Sequence, residues 1–184
     1  MIDLTKAKLP EAIEVDGSFY CIQTSFKYWL KFLQLSEQRD SFPEDFDFMY
    51  KNQKPINRLE GFLALVQFCN PPQVLPRINK GEAAEKVIDY TLDADYIYAA
   101  FLELYGIDLV TSDLHWYKFQ ALFRGLHDTK LNEIIGYRLY ENTGKRDIYT
   151  RHMEELRRAW ELPLEADEPD EDLIEFENKL RGTE

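Results

Sequence analysis

The chain has 184 residues, 45% of them hydrophobic and 14% aromatic, which suffices for one compact domain with a buried core and excludes a chain disordered throughout. Its 34 acids against 22 Lys and Arg give a net charge of −12, which argues against a general binder of phosphate backbones, because such binders displace counterions with surplus cations. No apolar run approaches the roughly 20 residues that span a bilayer, and the first residues, MIDLTKAKLP, hold no apolar stretch of signal-peptide length.

In chain order, the first element reads as a hairpin over residues 12–22, with Asp16-Gly17 as a two-residue turn. Alternation puts Ile13 and Val15 on one face and leaves two pairings for the return strand, Phe19 with Cys21 or Tyr20 with Ile22. The period then changes. Thr24 or Ser25 caps a helix carrying Tyr28, Trp29, Phe32 and Leu33. Residues 39–54 are irregular, and Glu44, Asp45 and Asp47 alternating with Phe46 and Phe48 predict a partly docked acidic loop. Pro55 suits the first turn of a second helix, carrying Leu59, Phe62, Leu63, Val66 and Phe68 and ended by Asn70-Pro71-Pro72. Residues 71–81 read as an extended connector and 82–90 as a further helical turn. Asp93 or Asp95 starts the most strongly patterned helix, with Tyr96, Ile97, Ala100, Phe101, Leu104 and Tyr105 as its apolar face and Gly106 as its stop. Ser112 or Asp113 caps the next, with Trp116, Phe119, Leu122 and Phe123 on its stripe. Thr129 opens a helix over LNEIIGYRLYEN, and Arg146 opens a last one with Ile148, Tyr149, Met153, Leu156 and Trp160, ended by Pro163.

The charge is uneven. Residues 161–184 hold ten acids and two bases, whereas residues 1–160 are nearly balanced. The reading is a mainly α fold in two regions: a single compact helical domain with a short N-terminal β-hairpin over 1–163, and an acidic linker with a short amphipathic tail helix over 164–184. In the tail, Leu173, Phe176 and Leu180 share a face of DEDLIEFENKL, with Asp170 and Asp172 suited to a helix N-terminus. A lone helix of that length is marginal in water.

Little in the chain suggests catalysis. His115, His127 and His152 show no HExxH spacing, and Cys21 and Cys69 lie too far apart for a CxxC motif, so reduced, buried thiols are expected. His115, beside Trp116, reads as a satisfied, partly buried histidine. Asp93 and Asp95 are explained as cap and first-turn residues rather than an acid–base pair. There is no nucleophile elbow and no phosphate-cradling glycine run. No catalytic, cofactor-binding or metal residue is expected. In KRDIYTRHMEELRR, pairs Glu154–Arg158 and Arg151–Glu155 predict a salt-bridged solvent face. Tyr117 lies off the aromatic stripe of LHWYKFQALF and is the candidate for an exposed aromatic contact. With Asp170, Asp172, Ile174 and Phe176 of the tail it makes up the expected partner-binding set.

Several segments in order carry a resemblance: the hairpin with its DG turn, FCNPPQVLPR, DADYIYAAFLELYGIDLVTSDLHWYKFQALFRGL, LNEIIGYRLY and ELRRAWELP. Together, over roughly residues 1–163, they resemble the gp-fifteen family of bacteriophage proteins, found in phages and prophages of Gram-positive bacteria. The resemblance implies a place in the long-tail assembly module, encoded near the tape-measure protein, as a non-enzymatic tail-assembly chaperone. The alternative is a structural tail or connector component of the virion. The implied partners are other phage tail proteins, the tape-measure protein among them, with no nucleic acid, membrane or cofactor, in the cytoplasm of the bacterial host during virion assembly. The tail after Pro163 is outside the resembling part.

Overall fold

The computed structural model describes residues 2–71, 86–142, 144 and 147–163. The fold is mainly α with one N-terminal hairpin. The described residues of Met1–Ala84 and Tyr90–Asn132 form one compact unit, and those of Glu85–Asp89 and Glu133–Glu184 a second.

In the first unit, β1 (Ala12–Val15) pairs antiparallel with β2 (Ser18–Cys21), Ile13 opposite Tyr20 and Val15 opposite Ser18. Asp16 and Gly17 both take positive φ, 49° and 74°, as a type I′ turn demands. Ile13 and Val15 are buried, which selects the Tyr20/Ile22 pairing for the inner face and leaves Phe19 and Cys21 outside. The expectation of two buried thiols therefore holds for Cys69 alone; Cys21 is exposed on the outer face of a two-stranded sheet, and both thiols are free.

α1 (Phe26–Ser36) begins where the chain is pinned from two sides. Gln23 N–H donates to the Met49 carbonyl at 2.7 Å, Phe26 N–H to the Leu114 carbonyl at 2.8 Å, and Trp116 N–H to the Thr24 carbonyl at 2.7 Å. Pro43–Met49 form a 3₁₀ turn closed by the Asp45 carboxylate, which accepts from Phe42 N–H at 2.8 Å. Phe46 and Met49 are buried there while Glu44 and Asp45 stay exposed, so the acidic loop is docked by its apolar residues.

α2 (Arg58–Cys69) starts at Asn57, whose Oδ1 accepts from Glu60 N–H; Pro55 precedes the helix instead of opening it. Its buried face also differs from the expected one. Gly61, Leu65, Phe68 and Cys69 point inward, whereas Leu59 and Leu63 are 57% and 49% exposed. The cause is the close approach at Gly61, where a Cβ would stand 2.5 Å from Pro55 Cγ and 2.6 Å from the Tyr50 hydroxyl. We expect Gly61→Ala to lower stability by about 1–3 kcal/mol through overpacking, despite the roughly 1 kcal/mol helix preference of Ala. Gly136, in a helix with nothing within 4 Å of its missing Cβ, is the control. Gly136→Ala should stabilise by about 0.5–1 kcal/mol. Urea unfolding of the two variants checks the opposite signs.

α3 (Ala94–Tyr105) follows Asp93 at its cap position. It stops at the left-handed Gly106, whose N–H donates to the Leu102 carbonyl while Ile107 N–H reaches that of Phe101. α4 (Trp116–Arg124) is capped by neither Ser112 nor Asp113 but by His115, whose Nδ1 accepts from Tyr117 N–H at 3.1 Å. The helix therefore begins two or three residues later than the cap-type residues suggest.

These helices converge on a ladder of rings. Phe26 stacks on Phe119 at 4.9 Å, Phe119 on Trp116 at 5.7 Å, Trp116 on Trp29 at 6.0 Å, and Trp29 on Phe68 at 5.1 Å. Trp29, Phe101, Trp116 and Phe119 are buried as expected, while Phe62 and Phe123 are half-buried. Both indoles are satisfied: Trp29 Nε1 donates to the Gln23 carbonyl at 3.0 Å and Trp116 Nε1 to the Cys69 carbonyl at 2.9 Å. Burial pushes the Cys69 thiol up to about 12, so it serves as an apolar filler.

α5 (Lys130–Arg138) starts in the first unit and continues into the second; Thr129, just before it, donates its N–H and hydroxyl to Asn132 Oδ1 in the first turn. α6 (Ile148–Trp160) is capped by Asp147, which accepts from Thr150 N–H at 2.7 Å; Arg146, expected to open it, lies outside the described residues. Residues 86–89 are not helical, contrary to the turn expected over 82–90, whose first four residues are outside the described set. The second unit is tied by arginines. Arg138 donates to the Trp160 carbonyl at 2.6 Å and the Val87 carbonyl at 2.9 Å, and Arg157 to the Tyr140 carbonyl at 3.1 Å. The expected pairs Glu154–Arg158 and Arg151–Glu155 are not among the ion pairs of the described residues; Glu154 instead accepts from Asn142 Nδ2 at 2.6 Å. Long, exposed side chains gain too little from an isolated pair to be held in one geometry.

Candidate functional site

An opening in the first unit lies at the Phe26–Phe119 end of the ring ladder. It is an open apolar groove of about 520 Å³ between α1 and α3, closed at one side by the 107–111 connector. Phe26 and Phe119 form its floor, Leu30 its α1 wall, Ile97 and Tyr98 its α3 wall, and Leu109 and Val110 its rim. Val110 is 72% exposed. Ala94, Tyr98 and Leu102 fall four residues apart on α3, so the exposed Leu102 continues the same wall.

Local geometry fixes the connector. Asp108 Oδ1 accepts from Val110 N–H at 2.9 Å, and bonds from Thr111 and Val110 hold its carboxyl below the usual carboxylate range. Lys27 Nζ donates to the Val110 carbonyl at 2.7 Å and lies 5.9 Å from the Phe26 ring centre. The lysine thus clamps the connector to α1 and sets the groove width. Tyr90 closes the inner end, its rings 5.8 Å from Phe123 and 6.5 Å from Phe119, and burial raises its phenol. The lining offers one ammonium, Lys27, one carboxylate, Asp95, and the phenols of Tyr90 and Tyr98 around an apolar floor. Such a groove buries apolar side chains of a ligand.

A smaller groove lies at the other end of the ladder, beside Phe68, Pro71 and Tyr117, under the hairpin residues Ile13 and Glu14. Tyr117 is here, and its expected exposure is overturned: it is 6% exposed. It stacks on Phe68 at 4.7 Å and meets His115 edge-on at 5.3 Å, and burial pushes its hydroxyl up to about 12. Position i+1 from the buried Trp116 takes it off the α4 stripe, but the end of α2 covers that side. The other four expected partner residues, Asp170, Asp172, Ile174 and Phe176, lie outside the described residues. None of the groove residues between α1 and α3 belongs to the expected set. Their one sequence signal is the apolar pair Leu109-Val110 placed in a connector after a helix stop.

His115 deserves its sequence reading as a satisfied histidine. Because Nδ1 accepts from Tyr117 N–H, the proton sits on Nε2, which donates to the Pro10 carbonyl at 3.0 Å. Burial holds its pKa below the usual histidine range; the bond to Pro10 and the charge of Glu11 oppose this, and Lys118 reinforces it. Protonation would cost the α4 cap. The folded pKa is depressed, so this contribution is intact above the unfolded value of about 6.5 and is lost as pH falls from there through the folded value. The thermal midpoint should therefore drop as pH falls below about 6.5, and less so in His115→Asn, which keeps a capping oxygen that does not titrate.

Among the described residues no three His, Cys, Asp or Glu side chains converge to hold a metal ion, and no helix is long and apolar enough to cross a membrane. Compared with known proteins, residues 5–162 match the family model described as Bacteriophage Gp15 protein. No curated protein and no solved structure matches.

Proposed function

Because the chain belongs to the Bacteriophage Gp15 protein family, we propose that it is a non-enzymatic, chaperone-like binder in phage tail assembly, working in the host cytoplasm on another tail protein such as the tape-measure protein. The observation that carries this reading is the open groove between α1 and α3. A binder that holds an assembling partner needs apolar surface that its own chain leaves uncovered, and the half-buried Leu30 and Tyr98 line such a surface beside the exposed Ala94 and Val110. The partner segment enters as an amphipathic helix, with large side chains as anchors at i, i+3 and i+4.

The test is co-expression with the tape-measure protein of the same phage and co-purification through the tape-measure chain. The wild-type chain should co-purify, and Ala94→Glu/Val110→Glu should not, since both positions are exposed at the groove edge. Equal recovery of both would remove the groove from the account. A second reading, a structural tail or connector component, is favoured by another surface: Leu59 and Leu63 follow one edge of α2 and Ile56 precedes the helix, all three exposed. Mass spectrometry of purified virions separates the two. A chaperone is absent from them, and a structural component is present at fixed stoichiometry.

A further inference from the structure

The groove is not electrically neutral along its α1 edge. Lys27 and Lys31 sit one turn apart on the exposed side of α1, and Lys27 is shared with a second, polar groove of about 450 Å³ that Lys51 also lines. That polar groove presents the Thr24, Ser25, Thr111 and Ser112 residues between the two lysines. None of Lys27, Lys31 and Lys51 has a carboxylate within 4.0 Å among the described residues, whereas Lys54 and Arg58 nearby are both held by Asp47, at 3.0 and 3.1 Å. In a chain of net charge −12, Lys27 at the apolar groove, Lys31 one turn further along α1 and Lys51 at the polar groove thus stand apart from the ion pairs of the described residues.

We infer that the partner segment is an amphipathic helix with an acidic flank, its apolar ridge in the groove and its carboxylates facing Lys27, Lys31 and Lys51. This rests on the proposed function and narrows it to a class of partner. Lys27 is already oriented by its bond to the Val110 carbonyl, and its ammonium has two further N–H donors to offer. Lys31 lies 4.7 Å from the Phe48 ring centre, which steadies its stem while leaving the ammonium exposed. The opposite wall carries Asp95, and the polar groove carries Asp113 at its rim, so a basic flank would be drawn to those sides and an acidic one to α1. The asymmetry fixes direction as well as affinity.

The experiment uses the full chain and two synthetic helical peptides with one apolar ridge, one flanked by Glu and one by Lys, each followed by fluorescence anisotropy. The Glu-flanked peptide should bind about tenfold more tightly at low salt, the sum of three exposed pairings. The preference should shrink as salt is raised, and vanish in Lys31→Glu/Lys51→Glu, whose positions are exposed and bear on no core contact. Equal binding of both peptides, or a preference for the Lys-flanked one, overturns the acidic-flank assignment while leaving a groove that binds helices. Binding of neither peptide, by the full chain or by the chain ended after Pro163, overturns it together with the groove reading. Glu-peptide binding that emerges only when the chain is ended after Pro163 makes the chain's own acidic tail the occupant and overturns the assignment to a partner.

Discussion

Trp116→Ala should cost about 3–5 kcal/mol of stability, the range for truncating a buried aromatic. Trp116 is 1% exposed and stands mid-ladder between Trp29 and Phe119, so truncation removes ring contacts on both sides at once. It also deletes the indole N–H that serves the Cys69 carbonyl, although Gln120 Nε2 still reaches that oxygen at 3.0 Å. The loss should therefore come mainly from packing. Trp116→Phe, which keeps a ring but not the N–H, should recover most of it. Chemical denaturation of the three proteins decides the point; equal losses in both variants would place the energy in the hydrogen bond instead. In the wild type, the indole fluorescence of Trp29 and Trp116 should resist quenching until the unfolding transition, whereas the half-buried Trp160 is partly quenched before it.

Arg138→Met should destabilise the second unit by about 2–4 kcal/mol, because two hydrogen bonds from a charged donor are lost. The guanidinium reaches the Trp160 carbonyl at the end of α6 and the Val87 carbonyl in the 86–89 segment. Arg138→Lys should restore only part, since one ammonium does not reproduce the planar fork. Hydrogen exchange gives the local readout: amides near 157–160 should lose protection in Arg138→Met. Unchanged protection would mean that α6 is held by its apolar side chains, Met153 and Leu156, and that the arginine is incidental.

Much of the architecture is legible where one local rule acts unopposed. Asp16-Gly17 admits positive φ at both turn positions, and Gly106 is the natural left-handed stop for α3. The readings that failed are those in which tertiary contact overrode a local preference. Ser112 and Asp113 are better capping types than histidine, yet the backbone bridge between Ser25 and His115 starts α4 at Trp116. Leu59 and Leu63 follow a helical apolar period, but the contact at Gly61 with Pro55 and Tyr50 turns that edge of α2 outward. The groove between α1 and α3 was hidden for a related reason. Leu30 and Tyr98 adjoin the buried Phe26 and Ile97 on α1 and α3, and periodicity does not distinguish an apolar residue covered by the chain itself from one left open.

The most direct test of the binding role is hydrogen-exchange mapping of the full chain alone and in complex with the co-expressed tape-measure protein. The account predicts added protection at α1 around residues 26–31, at α3 around 94–102 and in the 107–111 connector. A complex that protects residues 56–63, at the start of α2, and leaves those three segments unchanged would contradict it, as would the absence of any complex.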